Sequence, residues 1–186
     1  MFQNIFNTSK KYRGIYVEPP WKYSGKYYQR KNFISLEDNY YSTLSVNDLK
    51  SLPVKDLALD DSVCFMWVTD SHLKVGIEIM ESWGFEYKTI AFNWIKHYET
   101  GNICYNFAPW TLKSWEICLL GVRGTMSKYK KANNVKGLLN EVRTIHSKKP
   151  IETAKRIDEL FGSEPKIELF ARDYKEGWDC WGNEVF

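Results

Sequence analysis

Residues 14–21 (GIYVEPPW) decide how the chain folds, because they join a short apolar run to an abrupt stop. The run from 14 to 18 is typical of a buried strand. Pro19 and Pro20 end that strand, since proline fixes its own backbone and lacks the N–H that strand pairing requires. The carboxyl end of the strand should therefore open into a loop that begins with Glu18, two rigid prolines and Trp21.

Strand-like and helix-like segments alternate beyond this first strand. Further strands are predicted at residues 62–69, 87–95, 115–122 and 166–171. Helices are predicted from an N-cap at Ser45 through Leu52, over 72–83 with a stop at Gly84, and over 150–161. Residues 22–41 are predicted to form a long functional loop, and residues 126–136 a mobile surface loop. The alternation predicts an α/β fold with a doubly wound, mostly parallel sheet that binds ligands beyond the carboxyl ends of its strands.

Composition limits the class of protein. A chain of 186 residues can bury one sizeable core, so residues 1–186 are predicted to form a single domain. The net charge of +3 is too small to indicate a polyanionic partner by itself. The four cysteines are widely spaced, which argues against structural zinc and for a reducing compartment. The sequence shows neither a signal peptide nor an apolar stretch of membrane-spanning length, so a cytoplasmic protein without membrane contact is expected.

The tetrapeptide Glu18-Pro19-Pro20-Trp21 could carry chemistry on an aromatic amine. The lone pair of such an amine is delocalised, and acceptors for its N–H groups help to localise that pair on nitrogen. The carboxylate of Glu18 and the rigidly held carbonyl of Pro19 are acceptors of this kind. Trp21 could stack on a flipped base. The alternative is structural: the prolines end the strand and Trp21 belongs to the core.

Further short motifs follow the tetrapeptide along the chain. They are YYSTL (40–44), FMWVT (65–69), WIK (94–96), WEICLLGVRG (115–124), HSKKP (146–150), ELFAR (168–172) and GWDCWGNE (177–184). In this order the set resembles the adenine methyltransferases of the MT-A70 type, over nearly the whole chain. The resemblance implies a Rossmann-like class I S-adenosylmethionine-dependent methyltransferase fold in permuted motif order. It also implies methyl transfer to the exocyclic N6 amino group of adenine in a nucleic acid.

The resemblance assigns roles to individual residues. Glu18, Pro19, Pro20 and Trp21 form the implied catalytic tetrapeptide, which in the family usually begins with aspartate rather than glutamate. Lys149 is implied to meet the carboxylate of S-adenosylmethionine, as a charge-assisted contact. The implied surroundings of the cofactor's adenosine are Phe170, Arg172, Asn183 and Glu184. Trp178 and Trp181 are expected to pack beneath that segment rather than to touch the cofactor.

The stretch after the tetrapeptide is basic and rich in tyrosine. Lys22, Lys26 and Arg30 are interleaved there with tyrosines, a mixture that suits single-stranded or flipped nucleic acid but also occurs on solvated faces. By the resemblance, Tyr41 matches an aromatic residue of the target loop. The three histidines are scattered, and no metal site is predicted.

Three hypotheses about function follow. The first is an active enzyme with DNA as the preferred substrate, by analogy with short phage and bacterial members of the family. The second is a noncatalytic nucleic-acid-binding subunit, because a glutamate at the first position of the tetrapeptide also occurs in the noncatalytic partner of the eukaryotic complex. The third is methylation of RNA by the same site. A homo-oligomer and a hetero-oligomer both fit the sequence.

Overall fold

The computed structural model describes residues 1–22, 43–108, 110–144 and 148–185. Within them, seven strands form one sheet in the order β5-β3-β4-β2-β1-β6-β7. The strands are β1 (Tyr12–Val17), β2 (Ala58–Val68), β3 (Glu86–His97), β4 (Trp115–Arg123), β5 (Leu138–Val142), β6 (Lys166–Leu169) and β7 (Asp179–Trp181). The helices are α1 (Val46–Ser51), α2 (Val54–Leu57), α3 (Leu73–Ser82) and α4 (Ile151–Phe161).

The sheet is mostly parallel. The pairs β5·β3, β2·β1, β1·β6 and β6·β7 are parallel, whereas β4 runs antiparallel to both of its neighbours, β2 and β3. In consequence, the carboxyl ends of β1, β2, β3, β5, β6 and β7 lie at one edge of the sheet, and β4 begins at that same edge. We call this the carboxyl edge.

The two faces of the sheet carry separate apolar cores. Successive strand residues point to opposite faces. One face packs Ile15 and Val17 of β1 and Met66 of β2 against Ile79 and Met80 of α3. The other packs Tyr16, Phe65 and Trp67 against Ile157 and Phe161 of α4. Each fully buried side chain of this size stabilises the fold by roughly 1.5–3 kcal/mol. Helices thus cover both faces, as the doubly wound prediction requires.

The sequence also fixes where helices begin and end. Ser45 caps α1: its hydroxyl accepts from the Asp48 N–H, and the Asp48 carboxylate accepts from the Ser45 N–H. This reciprocal pair satisfies two backbone donors that the helix itself leaves unpaired. After α3, Gly84 adopts a φ of 88°, a left-handed conformation that suits glycine. The predicted helices are confirmed to within one or two residues.

Several details differ from the predictions. The strands β5 and β7 were not predicted, and the sequence did not indicate that β4 runs antiparallel to both of its neighbours. The last predicted strand ends at Leu169 rather than at 171, because Phe170 has a φ of 58° and leaves the extended conformation. The predicted loop 126–136 contains a short 3₁₀ turn at Ser127–Tyr129, and Met126 is buried beneath it. Except for Lys22, the predicted loop 22–41 lies outside the described residues.

No helix in the described ranges is long and apolar enough to cross a membrane.

Candidate active site

A cavity of about 620 Å³ opens at the carboxyl edge of the sheet. Its wall is formed by residues 18–20 after β1, residues 170–172 after β6, residues 181–184 at and after β7, and side chains around α1. The strands β1 and β6 are neighbours in register, with Val17 opposite Leu169. Their carboxyl ends therefore deliver the tetrapeptide and the ELFAR motif to the same place. The two segments that the sequence marked as functional converge on one cleft.

Glu18 is held at the rim of this cavity by cations. The Lys149 ammonium donates to its Oε1 over 2.5 Å, and the Arg172 guanidinium lies 3.8 Å from the same oxygen. Lys149 also lies 2.9 Å from Oε2 of Glu116, whose Oε1 accepts a hydrogen bond from Lys96. On the outer side, Arg172 lies 3.9 Å from Glu184. Cations and carboxylates thus alternate along one row, which we call the charge row: Lys96, Glu116, Lys149, Glu18, Arg172 and Glu184.

The inner half of the charge row is buried. The side chains of Lys96, Glu116 and Lys149 are each about nine-tenths removed from solvent or more. Burial alone would lower the pKa of Lys149, but the carboxylates of Glu116 and Glu18 outweigh it and raise that pKa above its ordinary value. Burial alone would likewise raise the pKa of Glu116, but Lys149 and Lys96 hold it below its ordinary value. Lys149 and Glu116 are therefore both charged at neutral pH, and each stabilises the charge of the other.

The charge row should make stability depend on pH. Folding lowers the pKa of Glu116. The stabilisation that its charge gives the folded state is therefore present above the unfolded pKa of about 4.3 and is lost as the pH falls through the folded pKa. We expect Glu116→Gln to lower the free energy of unfolding by about 2 kcal/mol at pH 7, because two lysines lose an anionic acceptor. The difference from the parent should shrink as the pH falls below about 4. Urea titrations of the variant and the parent at several pH values measure this difference in the free energy of unfolding.

The matched control for that prediction is Glu86→Gln, which changes an exposed carboxylate at the opposite edge of the sheet. Its effect on the free energy of unfolding should stay within about 0.5 kcal/mol. A loss for Glu116→Gln that is the same at pH 3 and at pH 7 would show that the charge of Glu116 does not stabilise the fold.

The tetrapeptide has a fixed backbone. The Pro19 carbonyl accepts from the Trp21 N–H at 2.9 Å, and the Pro20 carbonyl accepts from the Leu44 N–H at 3.1 Å. A carbonyl oxygen has two lone pairs, so that of Pro19 can accept a second hydrogen bond from a ligand. Trp21 forms a β-bridge with Leu44 and is 6% exposed within the core of its face. Trp21 therefore belongs to the core, as the structural alternative proposed, and its stacking on a base remains a prediction.

His72 stacks on Trp21. The ring centroids lie 4.9 Å apart with an interplanar angle of 25°. Nδ1 of His72 lies 3.0 Å from the Thr69 hydroxyl, and Nε2 lies 3.4 Å from the Lys22 carbonyl. Burial lowers the pKa of His72 and so favours the neutral ring, whereas the Lys22 carbonyl acts in the opposite direction by accepting a hydrogen bond. A base that stacks on Trp21 must use the ring face away from His72 or take the place of His72.

The wall opposite the tetrapeptide is partly aromatic. The ring centroids of Phe170 and Trp181 lie 5.1 Å apart, and both residues line the cavity. Phe170 holds its φ of 58°, the type of backbone strain that is common at functional sites. Gly182 lies so close to the backbone of Ala171 that a Cβ there would come within 2.4 Å of the Ala171 carbonyl oxygen. Glycine is therefore required at position 182 for the segment after β7 to approach the segment after β6.

The predicted site residues fall into three groups. Those that line the cavity are Glu18, Pro19, Pro20, Phe170, Arg172, Asn183 and Glu184. Lys149 contacts Glu18 without lining the cavity itself, and Trp21 lies in the core beside His72. Lys22 is exposed at the start of the following segment, while Lys26, Arg30 and Tyr41 lie outside the described residues. The structure leaves their binding roles as predictions.

Three residues of the site were missed by the sequence reasoning. Trp178 is buried in a core as expected, and Trp181 packs against the other core while also lining the cavity, so its contact with a cofactor remains untested. Lys96 and Glu116 lie in apolar segments, where a buried charge is normally paired, but the sequence does not show which groups pair with each other. His72 gave no signal, because its contact with Trp21 depends on the tertiary arrangement. Within the described ranges, no cluster of three or more potential metal ligands is present.

Comparison with known proteins gives one family. A family model described as MT-A70 matches residues 12–184. The chain is 38% identical to the type II methyltransferase M.MunI of Mycoplasma sp. over an alignment 189 positions long, which covers 95% of this chain and 78% of that protein. It is 29% identical to the N(6)-adenine-specific methyltransferase METTL4 of Mus musculus, across 98% of this chain and 39% of that protein. The N(6)-adenosine-methyltransferase catalytic subunit METTL3 of Homo sapiens is 28% identical across 94% of this chain and 28% of its own length.

Proposed function

The chain belongs to the MT-A70 family, and on that premise we propose that it transfers a methyl group from S-adenosylmethionine to the exocyclic N6 amino group of adenine in DNA. The observation that carries the proposal is the convergence of the tetrapeptide and residues 170–184 on one cavity. The likeness to a type II methyltransferase, which covers most of both chains, favours DNA over RNA. The Mycoplasma origin of that relative favours a bacterial or phage-infected cell, with the activity in its cytoplasm.

The fold supports this assignment. We propose that residues 12–184 form one Rossmann-like class I methyltransferase domain in permuted motif order. In that order the tetrapeptide follows β1, an interior strand of the sheet, and the segments that surround the cofactor follow β6 and β7 near the carboxyl terminus. Ligands of doubly wound sheets bind beyond the carboxyl ends of the strands, which is where the cavity lies.

The cavity fits S-adenosylmethionine in size and chemistry. Its volume of about 620 Å³ lies within the range of small-molecule sites. Phe170 and Trp181 offer aromatic surface for an adenine ring, and Asn183 and Glu184 offer a donor and acceptors for ribose hydroxyls. The carboxylates of Glu18 and Asp48 suit a ligand that carries positive charge. We propose that Arg172 orients Glu18 and Glu184 toward this ligand and that Lys149 meets its carboxylate.

The protein residues act on the adenine amine. The cofactor supplies an electrophilic methyl group on a sulfonium sulfur. Glu18 and the Pro19 carbonyl accept the two N–H groups of the amine, which directs its nitrogen lone pair toward the cavity. The cations on Oε1 of Glu18 fix that carboxylate in one orientation, so little reorganisation is needed when the amine becomes positively charged. The C–N bond would form as the methyl–sulfur bond breaks, with that bond's electron pair left on a neutral thioether sulfur, and the methylated amine would give up one proton to a carboxylate oxygen or to water.

A transfer assay tests the proposal. The purified protein is incubated with methyl-labelled S-adenosylmethionine and with oligonucleotides that contain one adenine, as single-stranded DNA, as duplex DNA and as RNA. We expect label in the DNA. The control oligonucleotide replaces the adenine with unsubstituted purine, which lacks only the exocyclic amine, and should stay unlabelled. Digestion to nucleosides identifies the methylated atom.

The other hypotheses predict different results. A noncatalytic subunit would leave every oligonucleotide unlabelled and would give no heat of binding when S-adenosylmethionine is titrated in. Label confined to RNA would replace DNA with RNA as the substrate. Transfer to the control oligonucleotide would refute the exocyclic amine as the acceptor.

A further inference from the structure

The turn that follows β2 brings a histidine ring onto the tetrapeptide. His72 ends the 3₁₀ turn Asp70–His72, and its ring lies on that of Trp21, with 4.9 Å between the centroids and 25° between the planes. Trp21 is 6% exposed and belongs to the core of its face. Because so little of Trp21 is exposed, a base could lie flat on its ring only after one of its present neighbours has moved.

Trp21 connects this stack to the Pro19 carbonyl. The Trp21 N–H donates to that carbonyl at 2.9 Å, so the position of the indole and the direction of the carbonyl are coupled through one residue. The proposed function uses the same carbonyl as an acceptor for one N–H of the target amine. Displacement of such a group by about 1 Å can cost about 100-fold in rate. Whatever holds Trp21 in place therefore also controls how well the amine is oriented.

His72 is itself held by contacts on two sides. Its Nδ1 lies 3.0 Å from the Thr69 hydroxyl and 3.1 Å from the Ser71 hydroxyl, and its Nε2 lies 3.4 Å from the Lys22 carbonyl. Thr69 comes directly after β2, which is a parallel neighbour of β1. His72 thus joins the segment after β1 to the end of the adjacent strand, across the carboxyl edge.

The turn that carries His72 is fixed by its first residue, Asp70. The Trp115 indole N–H donates to Oδ1 of Asp70 at 3.0 Å, and the Lys113 ammonium lies 2.9 Å from Oδ2. Trp115 is the first residue of β4, which pairs with β2. The turn is therefore anchored to two strands of the sheet, and a ring that it carries has a defined position.

We propose that His72 is a positioning residue for methyl transfer: its ring holds Trp21 in place and, through the Trp21 N–H, directs the Pro19 carbonyl at the target amine. This inference rests on the proposed function, because it takes the adenine amine as the group that the carbonyl meets. The stack contributes more than the contact with Lys22, since 3.4 Å exceeds the usual hydrogen-bond range of about 2.7–3.2 Å. In this role the target base does not displace His72.

Single-turnover transfer from S-adenosylmethionine to an oligonucleotide with one adenine tests the inference. We expect His72→Ala to lower the rate constant about 10-fold, less than a full 1 Å displacement would cause, because the core still restrains Trp21. The dissociation constant of S-adenosylmethionine should not change, since the described residues that line the cavity do not include His72. His72→Phe should recover the rate to within about 3-fold of the parent, because it returns a ring to the stack. His72→Gln, which has no ring, should be as slow as His72→Ala.

Amide exchange measures the same coupling without any activity. The exchange rate of the Trp21 N–H, followed by NMR, should rise about 10-fold in His72→Ala, because its hydrogen bond to Pro19 opens more often. In His72→Phe it should stay near the parental rate. Unchanged protection of the β2 amides in both variants would show that the sheet is intact. The matched control is Lys74→Ala, which changes an exposed side chain at the start of α3 and should alter neither rate.

The possible results separate the explanations. A parental transfer rate in His72→Ala would overturn the inference. So would faster transfer or tighter oligonucleotide binding in that variant, which would show that His72 obstructs the ring face that the target base occupies. A His72→Phe variant as slow as His72→Ala would refute the stack as the cause. Failure of the proposed function has a different signature: the parent itself would transfer no methyl group, while the exchange of the Trp21 N–H would still differ between His72→Ala and His72→Phe.

Discussion

Glu18→Gln should lower kcat for methyl transfer at least about 100-fold, the loss typical for removal of one preorganised electrostatic group. Glutamine keeps the size of the side chain but carries no charge. It can neither offset the positive charge that develops on the amine nor attract the Lys149 ammonium, which lies 2.5 Å from Glu18. The cavity should still bind S-adenosylmethionine. Single-turnover transfer at saturating oligonucleotide measures the rate, and calorimetry measures cofactor affinity.

Two companion variants sharpen this result. Glu18→Asp keeps the charge that the family usually has at this position but draws the carboxylate back by one methylene, so its loss should be smaller than that of Glu18→Gln. Glu86→Gln makes the same chemical change at an exposed position on the opposite edge and should be as active as the parent. Retention of the parental kcat by Glu18→Gln would remove Glu18 from the chemistry.

Lys149→Met should damage both stability and activity. Lys149 lies between two carboxylates in the buried part of the charge row, and its removal leaves Glu18 and Glu116 facing each other without the shared cation. We expect the free energy of unfolding to fall by about 3 kcal/mol, as for other broken buried ion pairs. Because Glu18 also loses its nearest partner, kcat should fall about 100-fold, the loss that a catalytic group displaced by 1 Å can cause.

The neighbouring lysine is a matched control. Lys148 pairs with Asp173 at the surface, where both side chains are more than half exposed. Lys148→Met should therefore change the free energy of unfolding by less than about 1 kcal/mol. The affinity for S-adenosylmethionine separates the two roles of Lys149. A weaker cofactor affinity in Lys149→Met supports contact with the cofactor's carboxylate, whereas an unchanged affinity with a slow transfer step assigns Lys149 to the orientation of Glu18. Equal behaviour of the two variants would refute both roles.

The central strands and the helices were predictable because their own sequences carry strong local patterns. β1, β2 and β4 are apolar runs, and α1 and α3 begin or end at residues with specific capping roles. The edge strands were not predictable. β5 has one buried apolar side chain, Leu139, and β7 has three residues, so both owe their extended conformation to pairing with a neighbour rather than to their own pattern.

The candidate site likewise contains some features that the sequence could predict and some that it could not. The residues that come directly after β1 and β6 could be predicted to meet, because carboxyl ends of parallel neighbours lie together. The partnership of Lys96, Glu116 and Lys149 could not, since it joins three segments whose register is set only by the folded sheet. The stacking of His72 on Trp21 likewise depends on the path of a turn that carries no sequence signature.

The reversed direction of β4 has a consequence for how such proteins diversify. Because β3 and β4 are antiparallel, the chain returns at the carboxyl edge through a surface connection and needs no helix packed across the sheet. A surface connection tolerates insertions and exchanges at small thermodynamic cost. Selection can therefore change this connection without disturbing the strands that carry the reactive groups. Grafting this connection between relatives should leave the strands and the chemistry at their carboxyl ends unchanged.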